Sequence, residues 1–423
     1  MLTLQVYCSR RIMNILNDIE ERLILKDISN KDKFIGLNPA TTGVYVGFDP
    51  TAESLHLGNY ILISVLLRFK KYGFRTYAVI GGATGMIGDP SFKDSERVLL
   101  DNESVINNKL RIKAQLESFG LEVIDNYDFY KDMNVLDFLR NVGKLVNVSY
   151  MMAKESVQKR IQKGLSFTEF TYQLLQGADF LKTYQESGIK IQLGGSDQWG
   201  NIVTGIDMIS KVVGDKHEAV GVTVNLLSDE NGKKIGKSTG GGALWIDKTM
   251  CSPFRMYQYL LSQNDSRIKE LLYWFSFKDI NEINDVLDKH FANPSKQIAQ
   301  KFLANEVIEN IFGFDELKQA QNITKILFDK SFDTSSLSVT DLEIIEHYLP
   351  VCPIKQGDSV IKTLIDNKFI ASNREAREFI QSGALKLDNC EVNNDSVYNP
   401  INFEGKYAFF KKGKKQIILL KSV

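Results

Sequence analysis

The sequence predicts a doubly wound parallel α/β domain, then an all-helical region, then a small α+β module. Three observations carry this. Between Val44 and Leu227, short apolar strand patterns alternate with longer helical ones. From about Ser252 to Leu349 the strand patterns stop and helical ones continue, with aromatics such as Tyr257, Tyr259, Tyr273, Trp274 and Phe275. Pro350–Gly357 then holds Pro350, Pro353 and Gly357, which reads as a linker, and a mixed pattern follows. The expected domains are residues 1–247, 248–349 and 357–423.

Taken in order, Ile12–Leu25 has helical periodicity. Val44, Val46 and Phe48 alternate with Tyr45 and Gly47 as a strand, and Asp49-Pro50-Thr51 breaks it, because proline cannot continue a central ladder. Ser54 reads as the N-cap of a helix carried by Tyr60–Phe69 to Gly73. His56, Gly58 and Asn59 then fall in its first turn, just past the carboxyl end of a buried strand. Open α/β sheets bind ligands there, and helix-start N–H groups favour anions such as phosphate. Thr76–Ile80 is a second strand, ending in Gly81-Gly82-Ala83-Thr84-Gly85, a turn that lets backbone approach a ligand. It is not a GxGxxG fingerprint, so a dinucleotide reading is weak. Ser91–Arg97 is polar; Glu103–Phe119 reads as a helix, Glu122–Asp125 as a strand, and Val135–Leu145, Lys154–Lys163 and Phe167–Gln185 as helices. Lys190–Leu193 is a strand ending at Gly194-Gly195, Asn201–Val213 a helix and Val220–Leu227 a strand. Ser228–Gly242 is the densest glycine segment and has the composition of a mobile loop.

In the last module, Ser359–Asn367 and Asn373–Ile380 read as helices and Leu385–Leu387 as a strand. Lys406, Lys411, Lys412, Lys414, Lys415 and Lys421 face a single acid, Glu404, with Phe403, Tyr407, Phe409 and Phe410 interleaved. With Arg374 and Arg377 nearby, this suggests an RNA surface.

The totals exclude several classes. Lys plus Arg and Asp plus Glu are both 52, so no global basic field announces nucleic acid. Cys8, Cys251, Cys352 and Cys390 are far apart and form no CxxC pair; His56, His217, His290 and His347 form no cluster. No zinc site or disulfide framework is indicated, and a reducing compartment fits. No apolar run approaches the roughly 20 residues of a membrane span. Residues 1–12 read as a non-functional extension, with Met13 as an alternative start. Arg10 and Arg11 leave an organellar leader open, while Asp18, Glu20 and Glu21 argue against it, and a cytoplasmic protein is expected.

His56-Leu57-Gly58-Asn59 and the downstream Lys234-Ile235-Gly236-Lys237-Ser238 together resemble the two signatures of class I aminoacyl-tRNA synthetases. Four further stretches resemble the bacterial and organellar tyrosyl-tRNA synthetases: Tyr45–Thr51, Gly81–Pro90, Tyr172-x-x-x-Gln176-x-x-Asp179 and Gln192–Gly200. The resemblance runs from about Ile15 to the C-terminus. It implies a Rossmann-like catalytic domain, a helical anticodon-side domain and an S4-like RNA-binding domain. It also implies activation of L-tyrosine by ATP, with Mg2+ arriving as part of that substrate and no protein-bound metal. Transfer to the 3′ end of tRNA(Tyr) follows, in a homodimer whose interface is expected within Phe138–Phe167, including Tyr150, Met151 and Met152.

By the same resemblance, Thr51 and His56 would contact the ATP phosphates, Gly58 would admit adenine, and Asn59 stands where the motif often has a second histidine. Lys234, Lys237 and Ser238 would close over the leaving pyrophosphate, and Lys93 and Arg97 from the other side. Tyr45 and Asp179 would meet the tyrosine hydroxyl; Asp89, Tyr172 and Gln176 the ammonium, with Gln192 in support. Gly47, Asp49, Gly195, Asp197 and Gln198 would bind the ribose and α-phosphate region. Spacing alone places Tyr172, Gln176 and Asp179 on one helix face. A nucleophile borne by the substrate needs no catalytic triad, only positioning and charge stabilisation. Two other readings stay open: a tryptophanyl-tRNA synthetase, and a non-catalytic RNA-binding protein on the same fold.

Overall fold

The computed structural model describes residues 14–91, 100–154, 157–158, 161, 164–226, 243–328, 337–346, 349–413 and 416–423. The chain divides into two compact units, Met1–Ile311 and Phe312–Val423.

The first unit is built on a six-stranded sheet: β1 (Leu25–Ile28), β2 (Gly43–Phe48), β3 (Arg75–Ile80), β4 (Glu122–Asp125), β5 (Ile189–Gly195) and β6 (Val220–Val224), in the order β1-β6-β5-β2-β3-β4. β6, β5, β2, β3 and β4 run parallel. Their near-continuous apolar runs are what a sheet covered on both faces requires; every residue of β6 is buried, and of β2 only Gly47 is exposed. Two elements go beyond the sequence reading. β1 pairs antiparallel with β6 at the sheet edge, and the helix Lys31–Gly36 follows it. Leu25-Lys26-Asp27-Ile28 is short and half solvated, so it carries little apolar signal. Val135–Leu145 resolves into a helix Val135–Asn141 and a 3-10 turn Gly143–Leu145; Lys154–Lys163 lies largely outside the described residues.

The helix Leu57–Lys71 is anchored at its far end. Arg22 and Arg68, both buried, pair with the buried Asp18 at 2.6 and 3.4 Å. Both also donate to carbonyls after the helix Asp265–Phe275, among them Ser276. Burial pulls the Arg68 guanidinium down to about 10. A buried charge of this kind is tolerated only when paired and hydrogen-bonded, as here. The helices Pro253–Leu261, Asp265–Phe275, Ile280–Ala292 and Ile298–Phe312 realise the expected all-helical stretch.

The second unit holds the helices Phe314–Phe328, Val339–Ile345, Val360–Asp366 and Asn373–Gln381. Its five strands are β7 (Val351–Ile354), β8 (Leu385–Leu387), β9 (Cys390–Glu391), β10 (Tyr407–Lys412) and β11 (Gln416–Ser422), ordered β7-β11-β10-β8-β9. The expected linker Pro350–Gly357 therefore contains a strand. β7 runs parallel to β11 and occupies the edge, where Pro353 removes no central ladder bond.

Candidate active site

The sheet order reverses between β5 and β2: the chain winds from β2 through β3 to β4 on one side and from β5 to β6 on the other. Ligands of doubly wound sheets bind at the carboxyl ends beside such a switch. Tyr45 and Gln192 are register partners across β2 and β5, so their side chains leave the same face. Both are buried, and the Tyr45 hydroxyl and the Gln192 Oε1 have no hydrogen-bond partner among the described residues. Unpaired buried polar atoms are uncommon and call for an explanation. Gly47, near the carboxyl end of β2, faces open space; a Cβ there would meet nothing within 4 Å.

Asp179, on the helix Phe167–Ser187, lies beside Tyr45. Its Oδ2 accepts from Asn126 Nδ2 at 2.9 Å and its Oδ1 from the Tyr130 hydroxyl at 2.6 Å. Burial pushes its carboxyl up to about 7, the two hydrogen bonds pull it back, and Asp49 adds to the rise. Burial, with Asp179 beside it, also raises the Tyr45 phenol well above its ordinary value.

One turn-pair away on the same helix, the Tyr172 hydroxyl donates to Asp49 Oδ2 at 2.9 Å. Thr84 donates to Asp49 Oδ1 at 2.7 Å, and Asn126 donates to Thr84 Oγ1 at 3.2 Å. Asp49, Thr84, Asn126, Asp179 and Tyr130 thus form one continuous polar chain. The glycine turn serves it: a Cβ on Gly81 would overlap the Asp49 carboxylate, and one on Gly82 the Asp125 carboxylate. These glycines make room for strand-end carboxylates, and the turn continues as the short helix Thr84–Ile87.

A second group lies over the start of the helix Trp199–Val213. Gln198 Nε2 donates to Asp89 Oδ2 at 2.7 Å, and Asn201 Nδ2 reaches Gln176 Oε1 at 3.0 Å and Gln198 Oε1 at 3.2 Å. Asp89 also contributes to the raised Tyr172 phenol. A Cβ on Gly195 would approach Asp197 Oδ1 to 2.8 Å. The structure therefore brings Tyr45, Asp49, Asp89, Tyr172, Gln176, Asp179, Gln192 and Gln198 together, with Gly47, Gly195 and Asp197 at the same strand ends. Thr84, Asn126, Tyr130 and Asn201 join them unforeseen. Asn126 had a signal, since it directly follows a predicted strand; Tyr130 had none.

The helix start differs from the reading. His56, not Ser54, is the N-cap: its Nδ1 accepts from the Asn59 N–H at 3.3 Å, and Asn59 Oδ1 accepts from the His56 N–H at 3.1 Å. This is a capping box, which explains an asparagine at that position. Ser54 is buried instead, donating to the Leu55 carbonyl and accepting from Gln115. Leu244 O accepts from Leu57 N–H, and Leu55 O from Ile246 N–H, both at 2.9 Å, so Ala243–Asp247 is stapled to the turn carrying His56. Arg111 ties the same two segments, reaching Glu53 at 2.5 Å and Asp247 at 2.9 Å. The Thr51 N–H bonds the Asp49 carbonyl, and Gly58 lies in the first helical turn.

Lys93, Arg97, Lys234, Lys237, Ser238, Lys414 and Lys415 lie outside the described residues, as does Ser228–Gly242. In the second unit Arg374 and Arg377 are exposed, Arg374 pairing with Glu378; Lys411 bonds Asn389, and Lys412 pairs with Glu375 at 2.8 Å over the Phe379 ring. Among the described residues no group of three or more His, Cys, Asp or Glu could hold a metal ion, and no helix is long and apolar enough to cross a membrane.

The chain belongs to the tRNA synthetases of class I (W and Y), whose family description matches residues 38–329. The tyrosine--tRNA ligase SYY-like C-terminal domain matches residues 341–420. Within that class it falls with the tyrosine–tRNA ligases. The tyrosine--tRNA ligase of Mycoplasmopsis agalactiae is 86% identical over 411 residues, 97% of this chain and 100% of the relative. That of Mycoplasmopsis synoviae is 52% identical over 407 residues, 96% and 99%. The crystal structure of a C-terminally truncated Aspergillus nidulans mitochondrial tyrosyl-tRNA synthetase superposes with a TM-score of 0.68 at 27% identity, covering 74% of this chain and 94% of that one.

Proposed function

We propose that the switch-point pocket takes L-tyrosine and MgATP, forms tyrosyl-adenylate, and passes the tyrosyl group to the 3′ end of tRNA(Tyr). The observation that carries the pocket is the pair of orphaned polar atoms on Tyr45 and Gln192 beside the buried Asp179. A phenol between Tyr45 and Asp179 would accept from the orphaned Tyr45 hydroxyl and donate to the Asp179 carboxylate, with Gln192 Oε1 left facing the rest of the ligand. Asp89, Tyr172 and Gln176 offer acceptors to the substrate ammonium. A carboxylate oxygen of the bound tyrosine then attacks the α-phosphorus in line, the bond from that phosphorus to the oxygen bridging to the β-phosphate breaks, and pyrophosphate leaves. Gly47, Asp49, Gly195, Asp197 and Gln198 would seat the ribose and α-phosphate, and Thr51 and His56 would meet the phosphates, with Asn59 acting through its hold on His56. Lys93, Arg97, Lys234, Lys237 and Ser238 are assigned to the leaving pyrophosphate on family resemblance. Mg2+ enters with ATP.

The same reading assigns Arg374, Arg377, Lys411, Lys412, Lys414 and Lys415 to tRNA, keeps the division at 1–247, 248–349 and 357–423, and makes the protein a cytoplasmic homodimer. Exposed apolar side chains near Phe138–Phe167, among them Leu136 and Phe167 at 74% each, support that interface. The test is charging of tRNA with labelled tyrosine and, separately, labelled tryptophan. Charging with tyrosine alone is expected; charging with tryptophan would overturn the assignment.

A further inference from the structure

We infer that Tyr130 sets specificity in the tyrosine pocket, as a positioning residue that holds the Asp179 carboxylate as a pure hydrogen-bond acceptor; this rests on the pocket assigned above. The short segment Asn126–Tyr130, which follows β4, supplies both donors to a buried carboxylate on a different element. Asn126 takes one oxygen, and the Tyr130 hydroxyl takes the other at 2.6 Å, with the Leu175 carbonyl at 3.0 Å as its only other described acceptor. The Tyr130 ring is held separately, edge-on to Phe129 and Phe138 at centroid distances of 6.3 and 6.2 Å. Its hydroxyl can therefore be removed with the ring left in place.

The groups that face Asp179 are Tyr45 and Asp49 from β2 and its exit, Asn126 and Tyr130 after β4, and Tyr172 on its own helix. Asp49 and burial favour the protonated acid; the two donors oppose them. An ionised Asp179 can only accept, so it rewards a phenol and is left short of a donor by a bare phenyl ring. A protonated Asp179 can donate elsewhere and discriminates less. Removing the Tyr130 hydroxyl removes a donor to the ionised form, which shifts the balance toward the neutral acid.

The experiment measures Kd for L-tyrosine and L-phenylalanine on the full chain from pH 6 to 8.5, for wild type and Tyr130→Phe. Wild-type tyrosine affinity should fall as pH drops through about 7, following Asp179. In Tyr130→Phe that midpoint should move upward, tyrosine affinity at pH 7 should fall about tenfold, and phenylalanine affinity should change less than about twofold. Asn126→Ala should move the midpoint in the same direction, and melting temperatures report whether each variant is folded. An unmoved midpoint, whether both ligands weaken equally or neither changes, would overturn the inference. A wild-type protein that binds no tyrosine would instead sink the pocket assignment itself.

Discussion

Tyr45→Phe separates a functional hydroxyl from a structural one. In the free protein the Tyr45 hydroxyl is buried, with no partner among the described residues. An unsatisfied buried polar group costs about 1–3 kcal/mol, so its removal should leave the fold unharmed or more stable by on the order of 1 kcal/mol. For a unit of this size that is a rise in melting temperature of about 1–2 °C. The ring itself, packed edge-on to Phe180 at 5.8 Å, is retained. The ligand would lose one hydrogen bond worth about 0.5–1.5 kcal/mol net, or roughly 2- to 10-fold in tyrosine affinity. Phenylalanine, which has no hydroxyl to pair, should bind the variant at least as well as wild type. Calorimetric unfolding and equilibrium titration with both amino acids read these quantities. A variant that is destabilised, with both affinities reduced alike, would show that the hydroxyl serves the fold and not the ligand.

Asp179→Asn tests the buried carboxyl. Its folded value of about 7 lies above the ordinary aspartate value, so its ionisation works against the fold. Its favourable share of stability is present below about pH 4 and is lost as pH rises through 7. The variant's melting temperature should therefore gain on wild type between those limits while tyrosine binding is lost; a constant difference across pH would contradict this. Arg111→Met cuts the link between Glu53 and Asp247. It should slow adenylate formation by on the order of tenfold with tyrosine Kd unchanged, measured by single-turnover kinetics. Gly81→Ala would push on the Asp49 carboxylate and should lower the melting temperature measurably, whereas Gly47→Ala, whose added methyl meets open space, should leave it unchanged; equal shifts in calorimetric unfolding would contradict this.

Local pattern reached much of this. The strand β2, its Asp49-Pro50 break and the following helix are legible because strand and helix periods differ and proline marks the change. Tyr172, Gln176 and Asp179 are legible together because they share one helix. What escaped depends on distant partners. Tyr130 and Asn126 meet Asp179 across 49 and 53 residues of chain, and Arg111 meets Asp247 across 136. Ser54 has the right chemistry for a cap, yet Gln115 takes its hydroxyl and His56 caps the helix. Pro350 and Pro353 punctuate the sequence like a linker, but an edge strand tolerates proline, and β11 beside it supplies the pairing.

Pyrophosphate exchange into ATP, run separately with tyrosine, phenylalanine and tryptophan and with Asp179→Ala alongside, reads amino-acid activation and its selectivity together. Exchange with tyrosine alone is expected, lost or relaxed toward phenylalanine in the variant. Exchange with tryptophan would move the amino-acid specificity away from tyrosine, and exchange with tyrosine untouched by loss of Asp179 would remove that carboxylate from the site.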